Sequence, residues 1–304
     1  MDEQQGASAP VGAGMVLLQL SLGRFGNSRQ GSLEQVDTEA DKSMLRLSKV
    51  LLDSPELAAT VTLDGQVLKW LGLRSVPSFF KRGVYSVKPG AVPEIEAQLR
   101  QFRQLREAAV EAFGQVYEAQ AEAARGRLRD QFNPADYPPV GKVKRCFTMD
   151  WKYLQVAVPG ALRGVAPELF EEQAKKLMEE MDSARQMGLA LVRGQMKELV
   201  DHFVERLTPG EDGKRKVFKG ASLENLREFV LTFPFRDMAD DSALQAEVRK
   251  LSGLLEGVDP AALRSNETLR EAIGRGFGQM KERLDGLVEA APLRRVRWGE
   301  EDAA

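Results

Sequence analysis

The amino-acid sequence predicts a mainly α-helical protein built on a long antiparallel coiled-coil hairpin with a small β-containing tip. Apolar residues recur in steps of three and four between Val92 and Phe132, and again between Pro167 and Leu207. Each run is about forty residues long, which gives a helix of about 60 Å. Such a rod is longer than a compact domain of this size is wide, so each run needs a long partner. Their antiparallel pairing is the economical solution.

Composition places the chain among soluble, folded proteins and narrows the chemistry it can perform. The 304 residues are 29% charged and 43% hydrophobic, with a net charge of −2, so no global field attracts nucleic acid or lipid. Cys146 and His202 are the only residues of their types. This count excludes intrachain disulfides, Cys–His dyads, His-dependent triads and most zinc sites. We therefore predict no catalytic residue, no metal site, no cofactor and a reducing, cytoplasmic setting.

Five regions follow from the shifts in composition along the chain. They are a disordered tail (1–14), a small α+β region (15–90), the helical hairpin (91–209) with its β tip (133–166), a C-terminal helical region (210–290) and a loose tail (291–304). The apolar run that follows Met15 is too short to cross a bilayer and lacks a positively charged lead. Translation from Met1 and from Met15 both fit this pattern.

Within the small α+β region (15–90), period-two alternation predicts a strand over Met15–Phe25. A helix is expected from about Asp37 or Thr38 to Leu52, and another ends at Leu71. A short strand is expected over Arg82–Val87.

The insert between the long runs has the composition of a β segment. Val143–Phe147 and Tyr153–Val158 are short and rich in β-branched and aromatic residues, and a turn fits between them. We predict a small β-hairpin there, at one end of the rod. Cys146 is expected to be a small core residue of this segment.

Basic and aromatic side chains alternate in the tip, which makes it the candidate interaction site. The residues are Lys142, Lys144, Arg145, Phe147, Trp151, Lys152 and Tyr153. This combination suits phosphate contact with base stacking, and it suits protein docking equally well. It also suits aromatics that fill the core of the tip beneath solvated cations.

The C-terminal region is expected to consist of shorter helices. They are predicted at Leu223–Leu231, Ser242–Leu255, Pro260–Leu263 and Glu267–Val288, with Ser222 as the cap of the first. His202 is expected on the flank or seam of the second long helix. Lys214, Arg215, Lys216 and Lys219 form a second basic loop, interpreted as a solvated turn.

The stretch Phe79–Phe113 and its continuation resemble an uncharacterised family of bacterial and phage proteins. The residues that carry the resemblance are Gly83, Val84, Tyr85, Val87, Phe113, Tyr117, Asp136, Tyr137, Pro138 and Phe147. That family is a domain of unknown function, often encoded beside a MoxR-type AAA+ ATPase and a von Willebrand factor A protein. The resemblance implies a partner of an ATPase-driven machine in a mobile element. It supplies no catalytic residues.

The function expected from these observations is that of a non-enzymatic adaptor or assembly component. It would act through protein–protein contacts of the hairpin and its tip, with an AAA+ ATPase or von Willebrand factor A protein as partner by resemblance. A homo-oligomer is a further option. The alternative is a nucleic-acid-binding accessory protein that uses the basic, aromatic tip.

Overall fold

The computed structural model describes residues 16–34, 36–78, 81, 83–208 and 220–289. It is 69% helical with a small antiparallel β part, which confirms the predicted mainly α class. None of the described helices combines the length and the hydropathy that a bilayer crossing requires. The predicted tails (1–14 and 291–304) and the basic loop around residues 214–219 lie outside the described residues.

The described residues form six strands and nine α-helices. The strands are β1 (Val16–Leu22), β2 (Ser28–Gln30), β3 (Ser48–Val50), β4 (Val76–Pro77), β5 (Val84–Val87) and β6 (Met149–Leu154). The helices are α1 (Pro55–Gly72), α2 (Val92–Leu128), α3 (Val140–Arg145), α4 (Ala161–Val165), α5 (Pro167–Leu207), α6 (Gly220–Arg236), α7 (Ser242–Leu255), α8 (Pro260–Ser265) and α9 (Glu267–Glu289).

The chain divides into two compact units that interleave along the sequence. Unit 1 contains the described residues within 1–17, 73–90 and 154–304, and unit 2 contains those within 18–72 and 91–153. In unit 2, β2 pairs antiparallel with β3, and β6 is the neighbour of β1. In unit 1, β4 and β5 form an antiparallel pair.

The core of unit 2 lies where α1 and α3 pack against α2. Helix α2 begins with a proline in its first turn, where the missing N–H costs nothing, and ends before Arg129, which has a left-handed φ of 49°. Phe113 is fully buried and meets Tyr117 edge to face with ring centroids 5.8 Å apart. The Tyr117 hydroxyl donates to the Pro138 carbonyl at 2.8 Å, so a polar group in this core keeps a partner.

The core of unit 1 is formed by the C-terminal half of α5 with α6, α7 and α9. Phe203 and Phe277 are fully buried, with ring centroids 4.4 Å apart. Helix α7 begins at an Asp241 side chain that accepts a hydrogen bond from the Leu244 N–H, a standard N-cap. The four elements share one apolar cluster.

The predicted long helices are present, but each has a different main partner from the one expected. Helix α2 spans 37 residues and packs on α1, while α5 spans 41 residues and packs on α9 and α6. The apolar face of α2 is therefore buried by shorter helices in unit 2, and the apolar face of α5 is buried by shorter helices in unit 1. The single coiled-coil hairpin of the prediction gives way to two separate helix packings.

The segment predicted as a β tip contains one strand, β6, and two short α-helices, α3 and α4, instead of a hairpin. Residues predicted as the strand Val143–Phe147 belong mostly to α3, and only β6 is extended. Val143 is fully buried in the core of unit 2 and α3 packs on α2. Burial of that side chain outweighs the β propensity of the run. Cys146 is exposed, which corrects its expected place in a core.

The predicted helix between Asp37 and Leu52 is also replaced. This stretch holds a short 3-10 turn, Lys42–Met44, and the strand β3. Lys49 in β3 reaches Asp136 at 2.8 Å, so a partner far along the chain stabilises the extended form. Three C-terminal helices, by contrast, agree closely with their predicted bounds, whereas α6 begins earlier and extends beyond the proline at position 234.

Candidate functional site

The predicted tip residues all lie in unit 2, on α3, on β6 and between them. Lys142, Lys144 and Arg145 are on α3, whereas Trp151, Lys152 and Tyr153 are on β6. Because successive side chains of a strand point to opposite faces, Trp151 and Tyr153 share one face of β6. That face is directed towards α2.

Glu96 on α2 holds both aromatic residues of β6, Trp151 and Tyr153. Its Oε2 atom accepts hydrogen bonds from Trp151 Nε1 at 2.7 Å and from the Tyr153 hydroxyl at 3.1 Å. Its other oxygen pairs with Arg100 Nε at 2.8 Å, one helical turn away. One carboxylate therefore fixes two aromatic rings and one guanidinium.

Arg103, one further step along the same face of α2, stacks on the indole of Trp151. Its guanidinium carbon lies 4.2 Å from the ring centroid, a cation–π contact. Arg103 Nη2 also lies 3.4 Å from Asp150 Oδ1. The indole is thus held at its edge by Glu96 and across one face by Arg103. We call the set formed by Glu96, Arg100, Arg103, Asp150, Trp151 and Tyr153 the Glu96 surface.

The surroundings of Glu96 and Tyr153 shift the pKa values of both side chains away from neutral pH. The hydrogen bond from Trp151 is the largest influence on Glu96 and lowers the pKa of its carboxyl, with smaller contributions from Arg100 and Tyr153. Desolvation, followed by the hydrogen bond to Glu96, raises the pKa of Tyr153 to about 12. Glu96 is consequently an anion and Tyr153 a neutral donor, which are the states that their hydrogen bond requires.

Two of the predicted tip residues serve the packing of unit 2. Phe147 is half-buried and meets Phe113 at 5.8 Å between ring centroids. Lys144 crosses α2 to pair with Glu111 at 2.7 Å. A Cβ at Gly114 would collide with Lys144 Cε, so the glycine leaves room for this crossing. Phe147 is thus positioned by the core and Lys144 by an accessible ion pair with α2, and the Glu96 surface includes neither.

The remaining cations of the predicted set are free within the described part of the chain. Lys142, Arg145 and Lys152 are exposed, and none has an ion-pair partner among the described residues. They could meet an external anion without first breaking a contact.

The sequence predicted the aromatic residues of this surface, Trp151 and Tyr153, but not the charged residues that α2 contributes. Glu96, Arg100 and Arg103 are spaced at four and three residues, which places them on one helical face. The sequence offers that spacing but not the strand that covers it, since Glu96 and Trp151 are 55 residues apart. The spacing of the three α2 residues is therefore visible in the sequence, whereas the contact between α2 and β6 is not.

His202 lies in a polar cleft of about 510 Å³ in unit 1. The lining residues are Gly194, Lys197, Glu198, Asp201, His202, Glu205 and Lys281. Lys197 pairs with Asp201 at 2.6 Å and also with Asp285, and Lys281 pairs with Asp201 at 3.1 Å. Both lysines that line the cleft are therefore paired with carboxylates. Across the described residues, no group of three acidic, His or Cys side chains has the geometry to hold a metal ion.

Comparison of this chain with protein-family models, with curated proteins and with solved structures finds no match. The chemistry of the Glu96 surface is thus the starting point for a function.

Proposed function

We propose that the protein is a non-enzymatic adaptor or assembly component that binds a partner protein through the Glu96 surface. The observation that supports this most directly is that one carboxylate holds Trp151 and Tyr153 while both rings remain partly exposed. Trp, Tyr and Arg are the residue types that most often anchor protein interfaces. Rings that are fixed before binding lose little conformational entropy in the complex.

The distribution of charge favours a protein over a nucleic acid as the partner. Arg100 is paired with Glu96, Arg103 with Asp150 and Lys144 with Glu111. A phosphate backbone would meet these carboxylates as well as the cations, and it would gain little from cations that are already neutralised. A protein interface accommodates both signs, because complementary charges can face each acid and each base.

The resemblance described above supplies the partner class to test first. The proposed partner is a MoxR-type AAA+ ATPase or a von Willebrand factor A protein of a phage or other mobile element, in the cytoplasm. The chain would then work as a subunit or adaptor of an ATPase-driven assembly.

The experiment is capture of a MoxR-type AAA+ ATPase and of a von Willebrand factor A protein from the same genome by the immobilised full chain, with titration of each complex. We expect Trp151→Ala to weaken binding at least tenfold, because removing an anchor of this type costs about 2 kcal/mol or more. Leu231→Ala is the matched control, since Leu231 is 74% exposed on α6 in unit 1. Failure of both candidates to bind, or equal binding by the Trp151→Ala variant, would count against the proposal.

Nucleic-acid binding is the second candidate, and the free cations Lys142, Arg145 and Lys152 favour it. Fluorescence anisotropy with single-stranded DNA and RNA at low salt measures it directly. The expected result is tight binding that weakens when the three are changed to Ala, with a shallower dependence on salt. Replacing Lys175, Lys176 and Arg249, which are exposed in unit 1, removes equal charge as a control. No binding at low salt eliminates this candidate.

A further inference from the structure

Helix α1 carries two apolar faces, and only one of them is buried. The first face packs against α2 in unit 2. Its residues are Leu57, Thr60, Asp64, Val67 and Leu71, all buried. This face accounts for the place of α1 in the fold.

The second face runs along the exposed side of the same helix. Its residues are Ala58, Val61, Gly65, Leu68 and Gly72, spaced by three, four, three and four positions, and all are exposed. Val61 and Leu68 each keep 45% of their surface accessible. A Cβ added at Gly65 or Gly72 would meet nothing within 4 Å. The row is the kind of stripe through which one helix packs on another.

The composition of α1 supports the interpretation that its second face is covered in the functional state. The 18-residue helix has only three charged side chains, Glu56, Asp64 and Lys69, and Asp64 is buried. The side of α1 opposite its buried face carries Thr62, Gln66 and Lys69, so the exposed apolar row lies between this polar side and the buried face. Contiguous exposed apolar residues mark interaction sites in soluble proteins.

We propose that a second copy of this chain covers this face, with the two α1 helices antiparallel about a twofold axis at Gly65. The row has nearly the same pattern of side-chain sizes in both directions from Gly65. A twofold axis there sets Val61 opposite Leu68 of the partner subunit, and Ala58 opposite Gly72 of the partner subunit. Larger side chains then meet each other and the small residues allow close approach, as an isologous interface requires.

Charge distinguishes the antiparallel arrangement from the parallel one. Lys69 flanks the row, and the antiparallel pairing sets it opposite Thr62 of the partner subunit. A parallel pairing would bring Lys69 against Lys69 of the partner subunit and align the two helix dipoles. The antiparallel pair avoids both costs.

A groove beside α1 enlarges the surface available to a second copy. It has a volume of about 530 Å³, and its lining includes Leu57 and Val61 of α1 together with Phe25, Phe147 and Val50, the last of which is 62% exposed. The twofold arrangement puts Leu68 of the partner subunit beside Val61, at the mouth of this groove. The groove thus continues the exposed row with more apolar surface.

The area of the proposed contact agrees with a weak dimer. An 18-residue helix is about 27 Å long. A contact of that length, widened by the groove, covers about 500 Å² on each copy and about 1,000 Å² in total, which is the lower limit for specific interfaces. We therefore expect dissociation in the micromolar range. The Glu96 surface is formed by other residues, so this proposal does not depend on the proposed function.

Sedimentation velocity of the full chain tests the dimer. Between about 1 and about 200 µM, a range that brackets micromolar dissociation constants, the wild type should pass from monomer to dimer. The Leu68→Glu variant should stay monomeric with an unchanged circular dichroism spectrum, because the new charges would be buried at the interface. Leu231→Glu, which changes a more exposed leucine in unit 1, should dimerise like the wild type. A wild type that remains monomeric throughout overturns the proposal and assigns the face to another protein.

Disulfide trapping tests the position of the axis. In a Cys146→Ser background, Gly65→Cys should form an intermolecular disulfide rapidly under mild oxidation, since the twofold axis brings the two positions within bonding distance. Gly253→Cys in the same background is the control, because Gly253 is another exposed helical glycine with open space around it. Equal trapping at both positions, or none at Gly65, would contradict an axis at Gly65.

Discussion

The guanidinium of Arg106 lies against the carboxylate of Asp64 inside unit 2, with Arg106 Nε 2.7 Å from Asp64 Oδ1. Only 3% and 5% of the two side chains are accessible. Arg106 Nη2 also donates to the carbonyl of Gly23. A buried charge pair with an additional hydrogen bond therefore joins α1, α2 and the segment that follows β1.

Breaking this pair from one side should destabilise the protein strongly. Asp64→Ala leaves the Arg106 charge buried without its counter-ion, which typically costs about 3–5 kcal/mol of unfolding free energy. Arg127→Ala breaks the pair with Asp53, where 69% and 75% of the side chains are exposed, and should cost at most about 1 kcal/mol. Urea unfolding of both variants measures the difference. Equal losses of unfolding free energy in the two variants would contradict the conclusion that burial makes the Arg106–Asp64 pair the more important one.

The crossing of Lys144 over Gly114 predicts a coupling between the two positions. Gly→Ala in a helix interior stabilises by about 1 kcal/mol when the site is open. Gly114→Ala should gain less, because the new methyl group must displace Lys144 from Glu111. In a Lys144→Ala background the full gain should return. Gly278→Ala in α9, where a Cβ has open space, supplies the uncoupled reference value. If the changes in unfolding free energy of Gly114→Ala and Lys144→Ala simply add in the double variant, the crossing is contradicted.

Protonation of Glu96 should change the fluorescence of Trp151. The pKa of Glu96 is lowered from its ordinary value of 4.5, chiefly by the indole hydrogen bond, so the anion persists below pH 4.5. As pH falls through the folded-state pKa, the carboxylate loses its charge and the indole loses a strong acceptor. A Trp70→Phe/Trp298→Phe protein isolates the emission of Trp151. Its acid transition should disappear with Glu96→Gln, and a transition that persists in this variant would have another source.

Acid should also weaken unit 1 through Glu247, which is 7% exposed at its side chain. Desolvation raises the pKa of Glu247, but hydrogen bonds from Lys250 and Arg283 outweigh it and the net pKa is lowered below 4.5. A depressed folded-state pKa gives stability that is fully present above pH 4.5 and is lost as pH falls through the folded-state value. Glu247→Gln should therefore cost about 1–2 kcal/mol at pH 7 and clearly less at pH 3.

Urea unfolding at both pH values measures this dependence. Glu282→Gln is the control, because Glu282 is exposed on α9 and has no ion-pair partner among the described residues. The same pH dependence in both variants would show that Glu247 is not its source.

The elements that the sequence predicted well are those whose signals are local. Helix α7 has the predicted bounds, Ser242–Leu255, because its Asp241 cap and its apolar spacing both lie within one short stretch. The strand β3 was missed because its partners are remote: Lys49 pairs with Asp136, which is 87 positions away. The Glu96 surface likewise combines residues with a local signal and residues that depend on a remote contact. Its aromatic residues were evident from composition, while the carboxylate that holds them lies on a helix far along the chain.

The interleaving of the two units determines the order in which a ribosome can complete them. Every residue of unit 2 has been synthesised once position 153 is released, whereas most of unit 1 lies beyond that point. Unit 2 can therefore reach its native contacts while residues 73–90, which belong to unit 1, still lack the part of that unit that follows position 153. Domains commonly fold in this vectorial manner during synthesis. In this chain, unit 2 starts after unit 1 in the sequence, yet its synthesis is completed first.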